Sequence, residues 1–176
     1  MAVLQTIRNF FIPAQTEKPE IIVSAPLTTY EIYPLTIKHL KEVLRLNVRC
    51  FKKGENYTKH TFNYLLNLPN GLSYRIITAN KDMVGFIFVS VSPEGVGHIT
   101  TIGVAPEHRQ RGLAARLLRH TEESLRKREV SSVILEVRVS NIAAQNLYRN
   151  CGYTITQRVS QYYTNGEDSF IMVKPL

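Results

Sequence analysis

The chain has 176 residues, which suit one domain with a sizeable core and exclude two domains of similar size. Its 22 lysines and arginines outnumber its 14 aspartates and glutamates, and the net charge of +8 favours polyanionic partners such as nucleic acid, an acidic membrane or a phosphate-rich cofactor. Charge alone does not choose among these classes.

The two cysteines, Cys50 and Cys151, are far apart and lack the spacing of metal ligands. They predict reduced thiols, with neither a disulfide framework nor a metal site. No segment reaches the roughly 20 apolar residues of a membrane span, and the apolar patch at residues 10–12 lacks a small-residue cleavage site. The sequence therefore predicts a soluble cytoplasmic protein that does not act at a membrane.

The hydrophobic pattern divides the chain into an extension and a domain. Pro13, Pro19 and Pro26 are separated by short apolar runs, which predicts an extension over residues 1–28 and a domain over residues 29–176. The elements predicted in chain order are a strand over 30–33, helices over 35–50 and 57–68, an antiparallel meander over 72–79, 83–92 and 98–104, a long helix opening at 109–114, a strand over 132–138, a short helix capped by Ser140-Asn141, and a hairpin of 153–163 and 169–173.

A short basic turn joins the strand over 98–104 to the long helix. Ala105-Pro106 ends the strand, and Gly112 and Ala114 leave the backbone bare where the helix starts. A helix start presents unpaired N–H groups and a partial positive charge, so this turn suits a phosphate. The alternative is an ordinary strand-to-helix connection whose glycine permits close packing.

This turn is also the first of three likenesses to a known family. Arg109-x-x-Gly112-x-Ala114 before a Leu-Leu helix resembles the pyrophosphate-binding motif of the GNAT acetyltransferases. The order of elements from 30 to 174 is similar to that of the GNAT fold. Segments 135–138, 140–141, 146–148 and 162–163 resemble the bacterial ribosomal-protein-alanine N-acetyltransferases and their archaeal and eukaryotic N-terminal acetyltransferase relatives.

The resemblance implies a fold and a cofactor. The expected fold is α/β, with a mixed, mostly antiparallel central sheet that is splayed at the acetyl-CoA site and flanked by helices. Acetyl-CoA is the implied co-substrate, and its pantetheine arm carries amides that can pair like a strand edge. The residues implied to contact it are Ile102, Gly103, Val104, Arg109, Gln110, Arg111, Gly112, Leu113, Ala114, Ala115, Asn141 and Tyr148. For Asn141 a plain helix cap is an equal alternative.

The resemblance also implies two catalytic residues. Tyr148 would be the general acid, since a phenol with a pKa near 10 suits a thiolate with a pKa near 8.5; its alternative role is core packing. Glu136 would be the base that acts on the substrate ammonium, directly or through water. A free glutamate has a pKa of about 4.3, so this role requires partial burial or a relayed water. The alternative for Glu136 is a structural salt bridge with Arg138, which shares its face of the strand.

Several residues are candidates for binding the acceptor. Phe51 and Tyr57 border the turn between the first two helices, and Tyr162-Tyr163 resembles a tyrosine pair that holds the substrate backbone in the family. His98 is a secondary candidate for proton relay, against the alternative of a surface or hydrogen-bonded histidine. Lys52-Lys53 departs from the apolar residues of some relatives, which puts a methionine-type preference in doubt.

The acceptor amine follows from its chemistry. At pH 7 an α-amine is roughly 10% neutral and a lysine well under 0.1%, so a modest base suits protein N-termini. The function implied is acetylation of a protein α-amine, with a ribosomal protein as one candidate substrate. The alternatives are a small-amine acetyltransferase and a non-catalytic module that binds acetyl-CoA or nucleic acid. Stable nucleic-acid binding is not expected, since the chain lacks an aromatic-basic repeat, a helix-turn-helix signature and zinc spacing.

Overall fold

The computed structural model describes residues 22–51 and 56–176. Within these ranges the chain forms a sheet of seven strands and four α-helices. In chain order these elements are β1 (Tyr30–Pro34), α1 (Leu40–Cys50), α2 (Lys59–Leu66), β2 (Gly71–Thr78), β3 (Met83–Val91), β4 (Val96–Val104), α3 (Leu113–Arg126), β5 (Ser132–Arg138), α4 (Ile142–Asn150), β6 (Thr154–Val159) and β7 (Ser169–Pro175). The predicted α/β fold and element order are confirmed.

Several predicted boundaries shift, and two of the shifts have clear local reasons. The second helix begins at Lys59 rather than residue 57, because the Thr58 hydroxyl accepts the Thr61 N–H at 3.2 Å and caps the helix there. The predicted strand over 153–163 is wrong at its end, since β6 stops at Val159. Gln161 adopts φ +51° and donates its N–H to the Asp168 carboxylate at 2.9 Å, so the chain leaves the ladder.

The sheet is antiparallel except at its centre. Its strand order is β1-β2-β3-β4-β5-β7-β6, and only β4 and β5 run parallel. Their pairing runs from Val96↔Ser132 to Ile99↔Leu135 and ends there, although β4 continues to Val104 and β5 to Arg138. The splayed sheet is therefore confirmed, and the two strand ends leave backbone edges that do not pair with each other.

A β-bulge lies at the same point of β4. The register with β3 shifts between Phe88 and Val89, which leaves Thr100 as an extra residue between Ile99 and Thr101. Bulges bend a strand and redirect its side chains. The bulge therefore turns β4 where its pairing with β5 stops.

Helices cover both faces of the sheet. A side chain at Gly97 would point at Leu125 of α3, 3.2 Å away, whereas one at Gly103 would come within 3.1 Å of the Cys50 sulfur of α1. The α3 residues Leu117 and Leu125 are fully buried, as their helical spacing predicts, and each contributes about 1.5–3 kcal/mol of hydrophobic stabilisation. In the part of the chain that is described, no helix has the length and apolar character needed to cross a membrane.

Candidate active site

His98 and Glu136 meet where β4 and β5 separate. His98 stands opposite Ile134 in the parallel pairing, and Glu136 is the first β5 residue beyond its end, on the same face as Ile134. The His98 Nε2 and Glu136 Oε2 atoms are 2.7 Å apart, with 13% and 8% of their side chains exposed. The structure therefore brings the predicted base and the secondary proton-relay candidate into direct contact.

Each member of this pair keeps a polar atom that is not engaged. His98 Nδ1, Glu136 Oε1 and the Thr100 hydroxyl are buried and have no hydrogen-bond partner within residues 22–51 and 56–176. Buried polar atoms in proteins are usually paired with protein or with ordered water. These atoms therefore need further hydrogen-bond partners, which an ordered water would supply.

Arg138, the alternative partner of Glu136, binds a second carboxylate. Its guanidinium donates to Glu167 Oε2 at 2.7 Å and to Asn165 Oδ1 at 3.2 Å, and it lies 3.7 Å from the centre of the Tyr163 ring. Nearness along the strand favoured Glu136 as its partner, but the chain between β6 and β7 brings a second carboxylate to Arg138.

Tyr57 borders the pair from the side of α1 and α2. Its hydroxyl donates to the bulge carbonyl of Thr100 at 3.0 Å, and its own carbonyl accepts from Asn47 Nδ2 at 3.4 Å. Burial raises the pKa of Tyr57, and the proximity of Tyr162 and Glu136 raises it further. Tyr57 therefore lies in the same region as Glu136 and a residue of the β6–β7 loop.

The aromatic candidates Phe51, Tyr162 and Tyr163 all lie outside helices and strands. Phe51 follows α1 and packs edge-on against Phe86, with ring centres 6.5 Å apart. Tyr162 and Tyr163 lie between β6 and β7 with ring centres 5.0 Å apart. Burial raises the pKa of Tyr163, although the Arg138 charge opposes this rise. Lys52 and Lys53 lie outside the described residues.

Tyr148 is buried on α4. Only 6% of it is exposed, and its ring meets the Tyr153 ring edge-on at 5.8 Å. Burial raises the pKa of Tyr148, and Cys151 and Glu136 add to the rise. The phenol therefore keeps its proton at neutral pH. Its packing role is real, and its catalytic role stays a prediction.

The basic turn before α3 has a left-handed backbone. Gln110 has φ +60° and Gly112 has φ +71°, and α3 begins at Leu113 rather than at Arg109 as the sequence predicted. A Cβ at Gly112 would meet no atom of the described residues within 4 Å, so the surface there is bare. The turn, with Ala114 and Ala115 in the first turn of α3, is open to an anion.

The two arginines of this turn donate hydrogen bonds to other parts of the protein. Arg109 donates to the carbonyls of Val104 and Cys50, at 3.1 and 3.0 Å. Arg111 donates to Ser24, Ala25 and Pro26 and to the Tyr30 hydroxyl. Their side chains thus hold the turn and the segment before β1, and what the turn offers an anion is its backbone.

The remaining cofactor candidates lie on the splayed β4 and at the start of α4. Ile102 and Val104 are partly buried, and a Cβ at Gly103 would lie 2.8 Å from the Phe86 ring, so only glycine fits there. Asn141 Oδ1 accepts the Ala144 N–H at 3.1 Å. The helix-cap role of Asn141 is therefore confirmed, and its contact with a cofactor stays a prediction.

Two positioning residues were missed from the sequence. Asn47 is fully buried and donates to Asn56 and Tyr57, which fixes the residue that reaches the bulge. Glu167 binds Arg138 and the Ser140 N–H. Asn47 could have been found from the sequence, because it is a polar residue on the apolar face of α1. Glu167 could not, because its contact depends on the β5–β7 register, which places Arg138 opposite Ser169.

Comparison with known proteins decides the family. The Acetyltransferase (GNAT) family model matches residues 40–153. The chain belongs to this GNAT family. The catalytic subunit NAA10 of the N-terminal acetyltransferase A complex of Arabidopsis thaliana is 34% identical over 147 residues, 80% of this chain and 75% of that protein.

Two solved GNAT structures have the same architecture as this GNAT domain. The ribosomal-protein-S18-alanine N-acetyltransferase of Escherichia coli superposes with a TM-score of 0.76 and 29% identity, covering 84% of this chain and 94% of that one. A chain of the NatC complex bound to Gag peptide and CoA gives a TM-score of 0.73 and 25% identity, covering 84% and 98%.

Proposed function

We propose that this GNAT protein transfers an acetyl group from acetyl-CoA to the α-amine of a protein N-terminus. The observation that carries the proposal is the buried His98–Glu136 pair at the start of the splay, with free polar atoms on both residues. The likeness to an N-terminal acetyltransferase subunit and to a CoA- and peptide-bound NatC chain supports it.

The residues at the splay fit acetyl-CoA. The edge of β4 beyond Ile99 is not paired with β5, so its backbone can pair with the amides of a pantetheine arm. The bare turn at Gly112 and the start of α3 suit the pyrophosphate. Ile102 to Val104, the turn from Arg109 to Ala115, and Asn141 would hold the co-substrate. When bound, acetyl-CoA supplies an activated acetyl thioester and departs as a thiol.

Glu136 would receive the proton of the substrate ammonium. Its Oε2 is held by His98 Nε2, while Oε1 is buried without a partner among the described residues, so the ammonium or a water between them would complete its hydrogen bonding. The amine attacks only when neutral, so removal of this proton is the base's task. His98 would hold the carboxylate through the Nε2 contact, and it stays the secondary candidate for proton relay.

Tyr148 would supply a proton to the departing thiolate. Burial raises its pKa, so its oxygen stays protonated throughout the neutral range. A protonated phenol in a site of low polarity can donate to a departing thiolate. Tyr57, Tyr162 and Tyr163 would bind the peptide backbone beside the amine.

An α-amine is the acceptor that this machinery suits best. Roughly 10% of an α-amine is neutral at pH 7, against well under 0.1% of a lysine, so a carboxylate that removes one proton is sufficient for the first. Ribosomal proteins are one candidate class, as in the Escherichia coli neighbour. A cytoplasmic location and the absence of stable nucleic-acid or membrane binding stay predictions.

The proposal is tested with two matched peptide libraries and acetyl-CoA. One library has a free α-amine with varied first residues and no lysine; the other has a blocked N-terminus and one internal lysine. We expect acetylation of a subset of the first library alone, located by mass spectrometry. Turnover of small amines with neither library acetylated would instead support a small-molecule acetyltransferase.

A further inference from the structure

Glu167 joins the loop that carries the tyrosine pair to the end of β5. This tyrosine loop, residues 160–168, links β6 to β7. Glu167 Oε2 accepts from the Arg138 guanidinium at 2.7 Å, and Oε1 accepts the Ser140 N–H at 2.9 Å. Both carboxylate oxygens are therefore used, and both partners belong to the segment that leads from β5 into α4.

Glu167 also makes hydrogen bonds within the tyrosine loop. The Glu167 carbonyl accepts the Tyr163 N–H at 3.0 Å, and the Tyr163 carbonyl accepts the Gly166 N–H at 2.9 Å. The Asn165 side chain accepts the Glu167 N–H at 3.2 Å and also binds Arg138. Tyr163 is thus held through its backbone by Glu167, and through its ring by Arg138, which lies 3.7 Å from the ring centre.

The charge on Glu167 is permanent under ordinary conditions. Burial alone would raise its pKa, but the hydrogen bonds from Ser140 and Arg138 outweigh burial and lower the pKa to about 2. Charge-assisted hydrogen bonds of this kind are roughly twice as strong as neutral ones. The link between the tyrosine loop and β5 therefore does not weaken within the working pH range of an enzyme.

The link connects two sides of the proposed reaction. Arg138 lies two residues after Glu136 on the same face of β5, and Ser140 immediately precedes Asn141, the cap of the helix that carries Tyr148. Through Glu167 the aromatic side that would bind the peptide is held at a fixed position relative to the base and the proton donor.

We propose that Glu167 is a positioning residue for the acceptor peptide, because it holds Tyr162 and Tyr163 against β5 and the start of α4. This inference rests on the proposed function, since it assigns the loop to peptide binding. Loss of the link would loosen the tyrosines and weaken peptide binding, and would leave coenzyme A binding and the chemical step intact.

The test compares two ligands of the full chain by calorimetry. One is coenzyme A; the other is coenzyme A joined through an acetyl bridge to the α-amine of a peptide that the protein acetylates, or of a generic peptide if none is found. The variants are Glu167→Ala and the milder Glu167→Gln. The matched control is Glu123→Ala, which removes a carboxylate from the exposed side of α3, outside the tyrosine loop.

We expect Glu167→Ala to lower the affinity for the conjugate by about tenfold, while the affinity for coenzyme A stays the same. The affinity for the conjugate should fall less in Glu167→Gln and less still in the control. In turnover assays the KM for peptide rises and kcat does not. Equal losses for both ligands, no loss, or a fall in kcat alone would overturn the positioning role. A parent protein that binds the conjugate no tighter than coenzyme A would overturn the proposed peptide acceptor itself, and the role of Glu167 with it.

Discussion

His98 Nε2 contacts Glu136 Oε2 at 2.7 Å across the gap that opens between β4 and β5. The contact depends on the register of the one parallel pair in the described sheet, because a slip of one residue would turn Glu136 to the opposite face. It leaves His98 Nδ1 and Glu136 Oε1 buried and without partners among the described residues. This contact predicts how the loss of either residue should affect catalysis.

Removal of the imidazole should weaken catalysis. In His98→Leu the Glu136 carboxylate loses its contact with Nε2 while it stays buried. A hydrogen bond to a charged group contributes roughly 1.5–3 kcal/mol, so kcat/KM for peptide should fall by about tenfold or more. The measurement compares kcat/KM of this variant with that of His60→Leu, whose histidine is exposed on α2. Equal values for the two variants would show that His98 does not support the base.

Tyr148→Phe should separate catalysis from packing. The substitution removes only the phenol oxygen from a side chain that is 6% exposed, so the fold and the affinity for acetyl-CoA should persist. Turnover on a cognate peptide should fall by roughly 10² to 10⁴, as expected for loss of a general acid. Stopped assays of kcat together with calorimetric titration of acetyl-CoA provide the two readouts. Wild-type kcat in the variant would assign Tyr148 to the core alone.

Gly112→Glu should prevent cofactor binding in a folded protein. Its Cβ would meet no described atom within 4 Å, and the φ of +71° adds only about 1 kcal/mol of strain. The new carboxylate would face the expected pyrophosphate, so affinity for coenzyme A should fall by about 100-fold or more. Gly95→Glu is the control, because Gly95 has φ +74° in a remote hairpin turn. Equal affinities for the two variants would remove this turn from the cofactor site.

Glu167→Gln should reduce stability in a pH-dependent way. The folded-state pKa of about 2 lies below the ordinary value of 4.5, so the carboxylate stabilises the fold above pH 4.5, and this contribution is lost as the pH falls towards 2. The side chain is partly solvated, and screening limits the contribution to about 1 kcal/mol. Urea unfolding of wild type and variant at pH 7, 5, 4 and 3 should show the difference shrinking in the acidic samples. Glu123→Gln, on the exposed side of α3, should show none of this trend.

Most of the fold could be predicted from the sequence, because helices and strands are marked by local sequence patterns. Apolar residues at a spacing of three to four placed Leu117 and Leu125 of α3 in the core, and glycine and proline marked the ends of most elements. The strand over 153–163 was predicted too long, because Gln161 binds the side chain of Asp168, which lies seven residues later, just before β7.

The site could be predicted only in part, because its contacts join residues that are far apart in the sequence. The family resemblance placed Glu136, His98 and Tyr148, but not the contact between the first two, which follows from strand register. Arg111 illustrates the same limit: the family resemblance implied a contact with the cofactor, whereas the Arg111 guanidinium binds carbonyls about 85 residues earlier, at Ala25 and Pro26. Its role as a phosphate ligand stays a prediction.

The most direct test of Glu136 as the catalytic base is the pH dependence of kcat/KM for the Glu136→Gln variant, measured on a peptide that the parent protein acetylates. Glutamine keeps the shape of the side chain and loses the base. At pH 7, kcat/KM should fall by roughly 10² or more, and the defect should shrink towards pH 9 as the α-amine, with a pKa near 8, loses its proton unaided. A defect of constant size from pH 7 to 9, or wild-type turnover throughout, would contradict the assignment of Glu136 as the base.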